Sequence, residues 1–322
     1  MKEELELERS KAMNRRTFIR NTLTGSAMLA LSLQYNNLYA KDDFVKITIL
    51  HTNDVHSRID PFPMDDKNYP GRGGVAPRAA LIKKIRTEEK NVMLFDAGDI
   101  FQGTPYFNFF EGELELKLMS LLGYDGGTMG NHDFDNGIEG FEKQIKHAKF
   151  PIITSNYDFS DTILAGKTKE FEVYIKDGIK IGVFGLGIDL DGLVNKQQYG
   201  NTKYLDPIEK SQYWESYLKK EEKCDFIICL SHLGYKYQNN KVSDIVIAKN
   251  TRYLDLIIGG HSHTFLDMPD AVKNLNSKSV IINQVGFAGL NLGRLDFVFE
   301  RNTGAKKGYT SAVEPVTTYL KN

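Results

Sequence analysis

The stretch Gly130-Asn131-His132-Asp133-Phe134-Asp135 sets an amide oxygen, an imidazole and two carboxylates directly behind a turn-forming glycine. Donors packed this closely suit metal ligation or proton transfer. Four other stretches repeat the same residue types: Asp54 with His56, Asp96 with Asp99, His232 alone, and His261 with His263. Carboxylate and amide oxygens combined with imidazole nitrogens fit Mn²⁺, Fe or Zn²⁺ in a reactive site, and a shared carboxylate can hold two such ions about 3.5–4 Å apart. Asp99 is the candidate bridge. The only cysteines, Cys224 and Cys229, lie in one apolar run, where a strand would turn them to opposite faces, so they read as buried free thiols. A disulfide framework and a thiolate zinc site are thereby excluded.

Each chemical stretch follows an apolar run that reads as a strand. Residues 44–50 alternate and deliver Asp54 and His56, which at i and i+2 can face the same way. Residues 91–95 feed Asp96-Ala97-Gly98-Asp99, 225–230 end at Ser231-His232, and 254–258 end at Gly259-Gly260-His261-Ser262-His263. A loop at a strand end can aim a ligand while the sheet fixes its base. Helices are expected over 75–90, 111–122, 137–148 and 207–221, the last carrying the only tryptophan, Trp214. Further strands are expected over 150–155, in a hairpin over 171–185 that turns at Lys176-Asp177-Gly178, and from 279 to 300 and on to 317. Strands alternating with helices, followed by a run of strands, indicate an α/β fold with a two-sheet core and helices outside.

Composition agrees with a globular domain. The 322 residues are 41% hydrophobic, and Lys+Arg 41 against Asp+Glu 42 leaves a net charge of -1, which gives no electrostatic case for nucleic-acid or membrane-surface binding. The first forty residues stand apart. Asn14-Arg15-Arg16-Thr17-Phe18-Ile19-Arg20 precedes a modestly apolar run and then Leu38-Tyr39-Ala40, the pattern of a twin-arginine export signal cleaved after Ala40. The run falls short of the ~20 residues of a membrane span, so no stable membrane insertion is expected. Met13, directly before the twin arginine, is an alternative start. Residues 1–40 are expected to engage the twin-arginine export machinery and 41–322 to form the catalytic domain of a periplasmic or otherwise exported protein.

Taken in order, Leu50-His51-Thr52-Asn53-Asp54-Val55-His56, Gly73-Gly74, Asp96-Ala97-Gly98-Asp99 with Gln102-Gly103, Gly123-Tyr124-Asp125 leading to Gly130-Asn131-His132-Asp133-Phe134-Asp135, Ser231-His232-Leu233-Gly234 and Gly260-His261-Ser262-His263 form a specific series. It resembles the catalytic domain of the 5'-nucleotidase family, within the calcineurin-like dinuclear metallophosphoesterases, over residues 44–300. The resemblance implies a four-layer α/β/β/α sandwich with two mixed β-sheets and two divalent metal ions. One ion would take Asp54, His56 and His263 with bridging Asp99; the other would share Asp99 and take Asn131, His232 and His261. His132 and Asp135 match the family's catalytic pair. The implied reaction is attack of a metal-activated hydroxide on phosphorus, with His132 binding the phosphoryl group or protonating the leaving oxygen.

The residues do not fix the substrate. By that resemblance the base would be bound in a C-terminal domain, which the chain, ending at Asn322, is expected to lack, so a separately encoded partner is one expectation. A 5'-nucleotide or related small phosphoester is the first expectation, a phosphodiester or UDP-sugar the second, and a metal-binding subunit without turnover the third. His51 is expected to pack in its strand or support a ligand, Asp96 and Asp133 to support the turns, and Gln102 to face substrate. His147 reads as a solvated helix residue, and Phe107, Phe109 and Phe110 as core first and a base-stacking cluster second.

Overall fold

The computed structural model describes residues 43–239 and 241–318; the twin-arginine stretch and the cleavage position at Ala40 lie outside them. The first half of the described chain alternates strand and helix: β1 (Phe44–Thr52), α1 (Val75–Glu88), β2 (Val92–Asp96), α2 (Pro105–Phe110), α3 (Glu113–Leu122), β3 (Gly126–Gly127) and α4 (Gly137–Ile145). A middle section follows, with β4 (Tyr157–Asp158), the hairpin β5 (Phe171–Lys176) and β6 (Ile179–Leu186), α5 (Lys196–Tyr199), β7 (Lys203–Tyr204) and α6 (Pro207–Lys220). The remainder runs β8 (Phe226–Ser231), α7 (Asp244–Asn250), β9 (Leu256–Gly259), β10 (Asp270–Lys273), β11 (Ser279–Asn283), β12 (Asn291–Glu300) and β13 (Lys306–Pro315).

Two mixed sheets carry the fold, one of five strands ordered β13-β12-β1-β2-β3 and one of six ordered β10-β11-β9-β8-β6-β5. Period-two alternation sorts their side chains into layers. Val45, Ile47 and Ile49 of β1 join Phe226, Ile228 and Leu230 of β8 and Leu256 and Ile258 of β9 in one buried cluster between the sheets. The alternate residues Ile227, Cys229 and Ile257 turn outward, onto Trp214 and Leu218 of α6 and Ile247 of α7. On the other flank Leu50 and Leu94 meet Ile82 and Ile85 of α1, Met119 of α3 and Phe141 of α4. Helices, sheet, sheet and helices therefore stack as the expected four layers. Each fully buried Ile, Leu or Phe side chain contributes about 1.5–3 kcal/mol to that arrangement.

The sequence reading needs four corrections. Residues 150–155 do not form a strand: Pro151 lacks the N–H a central strand needs, and only isolated bridges form, Gly127 to Ile152 and Ile153 to Lys169. The helix expected from residue 111 begins at Glu113, because Glu111 and Gly112 sit at φ 54° and 96° and separate it from α2. Cys224 precedes β8, so it does not oppose Cys229 across a strand; both are free, buried and in the same outer layer. Phe107 is buried as expected, but Phe109 and Phe110 of the six-residue α2 are 80% and 46% exposed. At the β5–β6 hairpin, Asp177 and Gly178 take φ 48° and 89°, both in the left-handed region that a two-residue turn of this kind uses.

Candidate metal centre

The strands β1, β2 and β3 are mutually parallel, as are β8 and β9, so their C-terminal ends form one edge in each sheet. All five strand ends bring polar residues to one place. Ligand atoms of Asp54, His56 and His263 lie within 4.8 Å of one another, and those of Asp99, His232 and His261 form a second such group. Five of these six residues hold backbone conformations that side chains rarely adopt: φ is 50° at Asp54 and at His56, 53° at Asp99, 72° at His261 and 49° at His263. Left-handed geometry costs non-glycine residues roughly 1–2 kcal/mol each and clusters at functional sites. The loops are held there by the surrounding hydrogen bonds, which aim the side chains inward.

The donor atoms point at shared positions with too few protons between them. His56 Nδ1 faces the carbonyl of Phe101 at 3.2 Å and His232 Nδ1 that of Ala97 at 2.7 Å, so each Nδ1 carries a proton and each Nε2 is the atom turned to its donor group. His56 Nε2 and His263 Nε2 stand 3.0 Å apart. His232 Nε2 is fully buried and makes no hydrogen bond, although Asp99 Oδ2 lies 3.1 Å away. Asn131 Oδ1 reaches the second group through His261 Nδ1 at 2.8 Å. Asp99 faces both groups, 3.1 Å from His232 and 3.9 Å from His56. A divalent cation in each group would satisfy these converging lone pairs, so the residues fit the metal ions that the sequence pattern suggests.

Electrostatics describe the same shortage of positive charge. Burial opposes it, yet the carboxylates of Asp99 and Asp54 push His232 up to about 10; against its own burial, Asp99 is held well below the usual carboxylate range by His232. A cation would take the place of that proton. Burial, reinforced by His232, depresses His261 to about 4, and burial also lowers His56, so both favour the neutral, ligating form. Close packing of backbone seals the centre: a Cβ on Gly130 would run into Asp99 Oδ1 and His232 Nε2. Only glycine leaves that space free.

His132 and Asp135 sit beside these groups. His132 Nδ1 and Asp135 Oδ2 are 2.8 Å apart, the His132 ring lies 5.3 Å from that of His56, and its backbone N–H donates to Asp99 Oδ1 at 2.8 Å. The hydrogen bond that His132 donates to Asp135 raises His132 above its ordinary value against a smaller effect of burial. Asp133 turns away from this opening and accepts the N–H groups of Gly130, Asp99, Ile100 and Phe101. Asp96 accepts from Thr52 Oγ1 and the Gly98 N–H. His51 joins neither donor group; buried against Asn283 Nδ2 at 2.9 Å, its desolvated ring is depressed to about 3. Gln102 is exposed at φ 67°, and His147 is half-buried.

Three residues that support the site carried little signal in the sequence. Asn53 donates to Asp54 Oδ2 and to the Gly286 carbonyl, fixing the first ligand. Gln284 accepts from Ser262 Oγ and the Thr264 N–H and donates to the Gly260 carbonyl, fixing the histidine loop. Phe287 stacks on the His263 ring at 5.1 Å and 14°. The pair Asn283-Gln284 at the end of an apolar run was the available clue for Gln284.

Comparison with known proteins agrees with this geometry. The family model described as calcineurin-like phosphoesterase matches residues 47–265. The snake venom 5'-nucleotidase of Gloydius brevicauda is 33% identical over 276 residues, which cover 79% of this chain and 45% of that protein. The trifunctional nucleotide phosphoesterase protein YfkN of Bacillus subtilis is 32% identical over 292 residues, 81% of this chain and 18% of that protein. Among solved structures, a 5'-nucleotidase precursor from Thermus thermophilus superposes with a TM-score of 0.77 at 31% identity, covering 85% of this chain and 55% of that one. The chain thus spans less than half the length of the two curated relatives.

Proposed function

The chain belongs to the calcineurin-like phosphoesterases, and we propose that it is an exported phosphohydrolase with a dinuclear metal centre, acting on 5'-nucleotides or related phosphomonoesters. The observation that carries the proposal is the pair of donor groups meeting at Asp99 beside the half-exposed His132–Asp135 pair. Asp54, His56 and His263 would hold one ion and Asn131, His232 and His261 the other, with Asp99 shared. Two bound divalent ions would supply an activated water as nucleophile and stabilise the charge that develops on the phosphoryl oxygens. Asp135 fixes the His132 ring by accepting its Nδ1–H, which leaves Nε2 to hold the phosphoryl group or give a proton to the leaving oxygen. The raised protonation of His132 suits that role.

The nucleotide assignment is supported by the relatives, two of which are named 5'-nucleotidases and one a nucleotide phosphoesterase. Export is supported by Arg15-Arg16 and the apolar run behind them. No helix among the described residues is long and apolar enough to cross a membrane. The test is release of phosphate from 5'-AMP, and cleavage of the diester bis-p-nitrophenyl phosphate, by the full chain stripped with a chelator and then reloaded with Mn²⁺ or Zn²⁺. AMP turnover that vanishes on stripping and returns on reloading is expected. Diester cleavage without AMP turnover would move the substrate to the diester class, and a loaded protein that cleaves neither would be a metal-binding module.

A further inference from the structure

A run of aromatic rings leads away from the candidate metal centre and is not needed to build it. Phe287 carries the His263 ring on one side; it then meets Phe265 edge-on at 6.0 Å and Tyr69 edge-on at 5.8 Å. Tyr69 meets Phe62 at 5.4 Å and 55°, and the Arg58 guanidinium lies 4.0 Å above the Phe62 ring, covering one of its faces. Core packing does not account for this ledge. Phe265 is 44% exposed, and Phe62, Tyr69 and Phe287 are only partly buried.

The ledge is built in advance of any ligand. The Phe265 ring lies over Gly286, where any Cβ would strike it, and the backbone is anchored on both sides by the Phe265–Val285 bridge and the bond from Gly286 N–H to the Thr264 carbonyl. On the facing loop, Phe62 N–H donates to the Arg72 carbonyl and Gly71 N–H to that of Phe62, while Asp66 accepts the N–H groups of Asn68 and Tyr69. Rings already fixed in place lose little conformational entropy on binding. Exposed faces of fixed rings bind planar, electron-rich groups by stacking, whatever the sequence of hydrogen-bond donors around them.

We propose that this ledge is a subsite for the planar base of a mononucleotide whose phosphate sits at His263, so that Phe265 and Tyr69 stack on the base and set the preference for nucleotides over plain sugar phosphates. The inference rests on the phosphohydrolase reading above. The geometry favours it because the ring chain starts at a residue of the metal-binding group itself: a substrate held there by its phosphate has Phe265 two ring-to-ring steps away, at 5.1 and 6.0 Å.

The test compares 5'-AMP with ribose 5-phosphate, which both release a primary 5'-alcohol of ribose and differ in carrying a base or a hydroxyl at C1', using the metal-loaded full chain. The expected kcat/KM ratio is about tenfold in favour of AMP, falling to about threefold or less in Phe265→Ala and Phe265→Leu and kept in Phe265→Trp. Because the readout is a ratio, a general loss of stability in a variant does not imitate the effect. A wild-type ratio near one, or a ratio unchanged in both Phe265→Ala and Tyr69→Ala, overturns the subsite and leaves the phosphohydrolase reading standing. Failure to cleave AMP, ribose 5-phosphate and bis-p-nitrophenyl phosphate alike overturns both.

Discussion

At the scale of single residues, the candidate site divides into groups that would hold metal and one pair that would move a proton. His132 belongs to the second kind: its ring is hydrogen-bonded to Asp135 and is a member of neither donor group. His132→Asn is therefore expected to retain full metal content while kcat falls by about 10²–10⁴. Steady-state kinetics on a variant with its metal content measured would check this; undiminished turnover would remove His132 from the mechanism. Types and spacing made these residues legible in the sequence, because amide, imidazole and carboxylate groups behind Gly130 have few structural uses in combination. Phe287 was not legible. A phenylalanine near a loop reads as core, and only the three-dimensional neighbour, the His263 ring, gives it another role.

At the scale of elements, five strand ends position the site and one carboxylate ties two of them together. Asp133, buried in the short 3-10 turn His132–Phe134, gathers N–H groups from the loop after β2 and the loop after β3. Burial, with the Asp99 carboxylate close by, pushes Asp133 up to about 7, so its four N–H donors are what offset the cost of placing it there. Replacing it leaves several buried donors unpaired, at about 1–3 kcal/mol each. Asp133→Ala is expected to lower unfolding free energy by about 3–5 kcal/mol in urea titration. A loss below about 1 kcal/mol would show that water satisfies those groups and that the turn does not depend on the carboxylate. The strands β1, β2, β8 and β9 were readable because alternation or continuous apolar runs end abruptly in polar loops. Residues 150–155 misled because an apolar run signals burial without saying whether Pro151 allows a ladder. The α7 helix and β10 went unread because elements of seven and four residues carry no more than two periods of pattern.

At the scale of the whole molecule, two sheets pressed face to face put the ends of parallel strands from both halves of the chain at one edge, and the residues of the candidate centre come from five such ends. No single sheet supplies either donor group: Asp54 and His56 follow β1 while His263 follows β9, and Asp99 follows β2 while His232 follows β8. Metal binding should therefore bridge the two sheets and depend on the whole packed domain. The measurement that bears most directly on this account is the metal content of the full chain, loaded to saturation with Mn²⁺ or Zn²⁺ and freed of excess ion, read by elemental mass spectrometry against protein concentration. The account predicts two ions per chain, with a loss at both positions in Asp99→Ala. Saturation at one ion or none, or an Asp99→Ala protein that still holds two, would contradict it.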